Sequence, residues 1–240
     1  QPMSLDNGRY WVTYNGEIYN YIEIREQLRG DGFEFHSGSD TEVLLAAYKK
    51  WGRACLDKFN GMFAFCLFDT VGRKVFIARD RFGVKPLNYT NSPAAFRVAS
   101  EIKQFTAFGD FTPECHPEML WHFLTTGDFD FDTQTMWKGV RELAPGHLIE
   151  LDLNKWRPGD DLRPEKWYSP PFFDEKLDIT YDEAVAEFRR LLESSMKLRM
   201  RADVPVGFLL SGGLDSSTLI GLAHRTPREE GAHLKTYSSC

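Results

Sequence analysis

The chain has 240 residues, 42% of them hydrophobic and 14% aromatic, which supplies enough apolar side chain for one large core or two smaller ones. A formal net charge of -6 without any long basic run argues against nucleic acid as the main partner, and no apolar run approaches the roughly twenty residues of a membrane span. The opening Gln1-Pro2-Met3-Ser4 lacks the charged and apolar regions of a signal peptide, and Cys55, Cys66, Cys115 and Cys240 show no C-x-x-C spacing, so the expectation is a soluble cytoplasmic protein with reduced thiols.

Residues 10–14 alternate as a strand and run into Asn15-Gly16-Glu17-Ile18-Tyr19-Asn20, where Asn-Gly alone would signal a hairpin turn. Ile18, Ile22, Ile24 and Leu28 then suggest a helix that Gly30 and Gly32 end. Ser39-Asp40-Thr41-Glu42 has capping-box spacing before an apolar face of Val43, Leu44, Ala47, Tyr48 and Trp51, which puts Asp40 at a helix N-terminus. A carboxylate is stabilised there with or without a ligand, so capping competes with binding as its explanation.

Residues 62–69 are apolar on both faces, which predicts a strand covered on both sides, and residues 74–78 form its hairpin partner after a turn at Gly72. Stacked antiparallel sheets flanked by helices follow for these strands and for residues 11–13. Cys66 sits among Phe63, Phe65 and Phe68 and reads as an inert core thiol. The charged run of residues 79–87 reads, on charge pattern alone, as a salt-bridged surface turn. Residues 116–127 suggest a helix with Met119, Leu120 and Phe123 inward, and residues 143–151 a turn and strand in which His147 is structural. Residues 156–178 are polar and proline-rich and read as a linker between domains 1–175 and 176–240. Thr180 and Glu183 form another capping box, with Val185, Phe188, Leu192 and Met196 lining the helix that follows.

The apolar run of residues 204–210, read as a buried strand, leads into Ser211-Gly212-Gly213-Leu214-Asp215-Ser216-Ser217 and then a helix. Two glycines let backbone N–H groups turn toward an anion, the new helix adds unpaired amides and the positive end of its dipole, and the serines add hydroxyls. Asp215 could hold Mg²⁺ or cap the helix, and a glycine turn capped by serines is the plainer alternative. Without a following lysine this is no Walker A site.

This heptad resembles the PP-loop of the ATP pyrophosphatases. Residues 15–20, 38–42, 59–64 and 79–87 resemble the glutaminase domain of the class II amidotransferases, of N-terminal-nucleophile fold, and the order of both sets resembles the glutamine-hydrolysing asparagine synthetases. The resemblance implies an α+β first domain in αββα layers, followed by the start of an α/β PP-loop domain. It further implies an ATP-dependent carbon–nitrogen ligase with glutamine and aspartate as substrates, ATP and Mg²⁺ as cofactors, no nucleic acid or membrane partner, and admits a homodimer.

Residue by residue, the resemblance makes Asn15 and Gly16 the catalytic donors to the oxyanion formed on glutamine, and Glu17 and Asp40 the grip on its α-amino group. Leu209 would contact adenine, and Ser211, Gly212, Gly213, Asp215, Ser216 and Ser217 the pyrophosphate, with Asp215 on the metal. The family's N-terminal cysteine nucleophile has no counterpart at Gln1, so that cysteine, the first strands and the end of the second domain are expected outside these residues. Ring-closing relatives of the β-lactam synthetase or macrocyclase type, and a non-catalytic glutamine- or nucleotide-binding regulator, are the alternatives.

Overall fold

The computed structural model describes residues 1–128, 132–171, 178–225 and 234–238; Cys240 and residues 172–177 of the stretch read as a linker lie outside them. The chain forms two compact units, Gln1–Pro170 and Pro171–Cys240.

The first unit is built on antiparallel strands. Its elements run β1 (Met3–Leu5), β2 (Tyr10–Ile18), α1 (Tyr21–Gly30), α2 (Asp40–Trp51), α3 (Cys55–Lys58), β3 (Gly61–Asp69), β4 (Lys74–Arg79), β5 (Asn88–Ser92), β6 (Ala95–Ala99), α4 (Pro117–Thr126), β7 (Val140–Glu142), β8 (His147–Asp152) and β9 (Glu165–Lys166). A six-stranded sheet has the order β1-β2-β3-β4-β8-β9, and a three-stranded sheet the order β6-β5-β7.

The side-chain period of two divides each central strand between layers. On β3, Phe63, Phe65 and Leu67 face one cluster with Ile24 and Leu28 of α1 and Val43 to Ala47 of α2. Ala64 and Cys66, one residue out of phase, join Ile77, Tyr89, Phe96, Val98 and Ile149 in a second cluster between the two sheets. The layers therefore run helices, sheet, sheet, and the two-faced apolar pattern of residues 62–69 has its cause in that sandwich.

Several elements differ from expectation. Asn15-Gly16 is not a turn: β2 continues to Ile18, and Gly16 pairs with Phe63 and Ile18 with Gly61 across β3. The helix starts only at Tyr21, and Ile22 is exposed. In α4, Met119 is buried but Leu120 and Phe123 are exposed. The stretch from Trp156 is no linker as far as Pro170, because Trp156 and Leu162 pack on the second cluster and Trp167 on the first.

The largest correction is the charged run 79–87. It is no salt-bridged surface turn, since Arg79 and Asp80 are buried, Asp80 at 1% exposure. Asp80 Oδ1 accepts the N–H groups of Phe82 (3.0 Å) and Val84 (3.0 Å), and Oδ2 those of Phe63 (3.1 Å) and Lys85 (3.0 Å). Arg79 donates to the carbonyls of Lys85 (2.7 Å), Gly83 (2.8 Å) and Leu143 (2.6 Å) and pairs with Glu142. Arg81 donates to the Phe59 carbonyl and lies over the rings of Trp167 and Tyr168. The buried side chains of Arg79 and Asp80 thus bind the backbone of a loop that has no ladder partners of its own and whose Phe82 and Val84 are exposed.

In the second unit, α5 (Tyr181–Arg199) begins with the expected capping box: Thr180 accepts from the Glu183 N–H at 3.3 Å while Glu183 accepts the Thr180 N–H at 2.8 Å. Met196 is buried, whereas Val185 and Phe188 are exposed. Strand β10 (Gly207–Leu209) precedes α6 (Leu214–Arg225) and pairs in parallel with β11 (Lys235–Tyr237). The strand is not buried as expected: Leu209 is 82% exposed, because the sheet has only two strands among the described residues.

Replacing Asp80 with asparagine should destabilise the protein by about 2–4 kcal/mol in denaturant unfolding, since the new NH2 faces backbone donors and a charge-strengthened acceptor is lost. A change within about 0.5 kcal/mol, the range of a surface substitution, would mean the loop does not depend on this carboxylate.

Candidate functional site

Asn15, Gly16 and Glu17 are consecutive on β2, opposite Ala64, Phe63 and Met62 of β3. The strands approach too closely at this point for side chains. A Cβ on Gly16 would lie 2.3 Å from the Met62 carbonyl oxygen, and one on Gly61 would lie 2.2 Å from that of Glu17. Glycine is thus imposed by backbone contact, whatever else its N–H does.

The side chain of Asn15 points to the space between the sheets. It lines a cleft of about 170 Å³ with Thr13, Cys66, Leu87, Val98 and Ser100, and its Nδ2 donates to the Ser100 hydroxyl at 3.4 Å. Burial pushes the Cys66 thiol up to about 11 and raises Cys55 as well, so both stay protonated and neither is a nucleophile. The expected inert thiol at Cys66 is therefore present, on the wall of this cleft.

Asp40 reaches the same strand from α2. Its Oδ2 accepts the Tyr14 hydroxyl at 2.7 Å and the Ile18 N–H at 2.9 Å, so the carboxylate is tied on both sides of the Asn15-Gly16-Glu17 run. This is not a capping box. Ser39 is the N-cap and accepts from the Thr41 N–H at 3.1 Å, while Glu42 reaches past it to the N–H groups of His36 (2.9 Å) and Ser37 (2.8 Å) and to the Ser37 hydroxyl (2.6 Å). Capping and loop anchoring therefore fall to Ser39 and Glu42, and Asp40, the first residue of the helix, is released from both. Burial opposes the charge on Glu42, but the Ser37 hydroxyl and the two amides outweigh it and hold the carboxyl below its ordinary value.

In the second unit, the heptad forms the turn between β10 and α6. Gly212 has φ +79°, in the left-handed region, and a Cβ there would meet nothing within 4 Å, so conformation rather than crowding calls for glycine. Ser211 Oγ lies 3.1 Å from Ser216 Oγ and accepts the Gly213 N–H at 3.4 Å; Ser216 also donates to the Gly213 carbonyl at 3.2 Å. The Ser217 N–H bonds the Gly213 carbonyl at 3.2 Å, so the amides of residues 214–216 precede the first bond of the helical ladder at the start of α6. Asp215 is exposed in its first turn. Among the described residues no three His, Cys, Asp or Glu side chains gather as a metal cluster. Leu209 ends β10, and the N–H of Leu210 bonds the Tyr237 carbonyl.

Asp40 is thus brought to the strand that carries Asn15, Gly16 and Glu17, with the Asn15 side chain turned to the space between the sheets, and residues 211–217 form one turn in the second unit. The sequence reading missed Tyr14, Ser100 and Asp80. An Asp followed by Gly three positions later is an Asx-turn signal that could have identified Asp80; nothing in the local pattern distinguishes Tyr14 from an ordinary strand aromatic.

Comparison with known proteins agrees with this division. The family described as "Glutamine amidotransferase domain" matches residues 1–163, and that described as "Asparagine synthase" matches residues 187–240. The chain is 36% identical to asparagine synthetase [glutamine-hydrolyzing] 3 of Bacillus subtilis, over 99% of this chain and 38% of that protein. It is 36% identical to a putative asparagine synthetase [glutamine-hydrolyzing] 2 of Methanocaldococcus jannaschii, over 91% and 41%, and 34% identical to the amidase chry2 of Gibberella zeae, over 92% and 32%. The chain therefore spans well under half the length of these relatives. Among solved structures, the glutamine phosphoribosylpyrophosphate amidotransferase of B. subtilis matches with a TM-score of 0.46 and 21% identity, over 96% of this chain and 48% of that one. No helix among the described residues is long and apolar enough to cross a membrane.

Because Glu42 has a lowered folded-state pKa, its charge adds stability above the unfolded carboxyl pKa, and that contribution is lost as pH falls through the folded value. The melting-temperature gap between wild type and Glu42→Gln should be widest near neutral pH and narrow in acid. A gap constant from pH 7 to pH 3 would mean that the charge is not what holds residues 36 and 37.

Proposed function

We propose, from the premise that this chain belongs to the glutamine amidotransferase family through residues 1–163, that it carries the amide-donating half and the ATP-binding turn of a glutamine-dependent asparagine synthetase. The observation that carries the reading is Asp40 tied to β2 on both sides of Asn15-Gly16-Glu17, in one chain with the Ser-Gly-Gly turn that opens α6. The 36% identity to asparagine synthetases across almost the whole chain supports it.

In this proposal Asn15 Nδ2 and the Gly16 N–H stabilise the oxyanion formed when a thiolate attacks the glutamine amide, each worth about 3 kcal/mol in the barrier. Glu17 and Asp40 hold the α-ammonium group through charge-assisted bonds. Ammonia released there reacts at the second unit, where the aspartate carboxylate displaces pyrophosphate from ATP and ammonia then expels AMP. Activation is needed because a carboxylate is a poor electrophile. Ser211, Gly212, Gly213, Ser216 and Ser217 would hold the phosphates, Leu209 the adenine edge through its backbone, and Asp215 one coordination position of Mg²⁺. That ion would shield phosphate charge.

The same activation could serve a different acceptor, including ring closure, and the 34% identity to amidases of Gibberella zeae and Penicillium rubens motivates the comparison. AMP release that requires aspartate separates the two readings.

In the intact protein, Asn15→Ala should lower glutamine-dependent synthesis by about 10²–10³-fold, the effect of deleting one oxyanion donor, and leave ammonia-dependent synthesis near wild type. An equal loss of both activities would make Asn15 a folding residue. Asp215→Asn should abolish synthesis from either nitrogen source while glutamine hydrolysis persists and stability stays within about 1 kcal/mol, the scale of a cap change. Normal AMP release by that variant would remove Asp215 from the metal site.

A further inference from the structure

The two oxygens of Asp40 are used unequally. Oδ2 takes the Tyr14 hydroxyl at 2.7 Å and the Ile18 N–H at 2.9 Å, whereas among the described residues Oδ1 has only the Thr41 hydroxyl at 3.5 Å, the outer limit of a hydrogen bond. The Tyr14 ring is held from below. It is 8% exposed, and a Cβ on Gly16 would come within 2.9 Å of it, so the ring lies flush against the glycine that the close strand contact requires. Burial, and after it the charge of Asp40, push Tyr14 ionisation far above the ordinary range, and Glu17 acts in the same direction. The hydroxyl is thereby kept as a donor, and both carboxylates are electrostatically close to it.

From this we propose that Tyr14 is a positioning residue for substrate recognition, an inference that rests on the glutamine-site reading above. Its hydroxyl saturates Oδ2 and fixes the carboxylate plane, which leaves Oδ1 to accept one N–H of an unsubstituted α-ammonium group. A carboxylate free to rotate would pay the cost of that ordering at each binding event, whereas this one is ordered in advance. The contribution falls on substrate binding and not on the amide chemistry, because the ammonium group lies away from the reacting carbon.

Tyr14→Phe removes one oxygen and keeps the ring against Gly16. In the intact protein it should raise the KM for glutamine several-fold, because the ordering of the Asp40 carboxylate that the free protein no longer supplies then falls on the binding step. The kcat of glutamine hydrolysis and ammonia-dependent synthesis should not change, and the melting temperature should fall by no more than the loss of one hydrogen bond. Asp40→Asn is measured beside it. If Asp40→Asn raises KM and Tyr14→Phe does not, the positioning role is overturned while the site reading stands. If neither raises it, the site reading itself fails. A Tyr14→Phe protein that melts lower and loses both synthetic activities in parallel would show a packing role and overturn the inference.

Discussion

The contact on which the first unit depends is the approach of β2 to β3, where β2 has no room for a side chain at residue 16 and β3 none at residue 61. With Gly16 over the Met62 carbonyl and Gly61 over that of Glu17, the backbones close to a distance that any Cβ would prevent. That closeness settles the rest of the local geometry. Asn15 is turned into the cleft between the sheets, Tyr14 is laid against Gly16, and Phe63 is brought to Asp80, whose carboxylate gathers its N–H with three more from the loop after β4. One carboxylate thus links the strand that backs the candidate site to the loop whose end, at Pro86 and Leu87, lines the cleft.

Burial of such charge needs compensation, and the loop supplies most of it, with Phe63, Glu142 and Leu143 supplying the rest. Arg79 satisfies three carbonyls and Asp80 four amides, five of these seven groups in the segment between β4 and β5 and two, Leu143 and Phe63, beyond it. Arg81 extends the same logic outward: its guanidinium is partly desolvated, which lowers its pKa, and it lies across Trp167 and Tyr168. Those two aromatics hold residues 165–168 to the sheet. A stretch whose composition reads as a linker is in this way part of the fold.

The legible features were those with a period or a local signature. The two-faced run of β3 announced cover on both sides, the Thr180 and Glu183 spacing announced the start of α5, and the heptad announced a turn between strand and helix. What misled was chemistry decided by distant partners. Asn15-Gly16 has the composition of a hairpin turn but lies mid-strand, because Phe63 and Met62 arrive from the far end of the chain's next hairpin to pair with it. The charges of residues 79–81 look solvated until Phe63, Leu143 and Phe59 are placed beside them. Likewise Val185 and Phe188 have a core-facing period on α5 that finds no cover among the described residues.

The Ser39 to Glu42 run shows how a local rule can be right in position and wrong in role. Capping-box spacing assigns Ser39 and Glu42 to each other, yet Glu42 passes over Ser39 and takes the amides of His36 and Ser37 instead. Ser39 caps α2 alone by bonding Thr41. Both structural duties at this helix start are thereby met by residues flanking Asp40, and the dipole that favours any acid here is left acting on a carboxylate with no part in capping. Its one firm attachment is across to β2, through Tyr14 and Ile18. The capping role that the sequence leaves open to Asp40 is therefore taken by its neighbours: Asp40 is held for the strand that carries Asn15, and among the described residues its Oδ1 has the Thr41 hydroxyl, at 3.5 Å, as its hydrogen-bond neighbour.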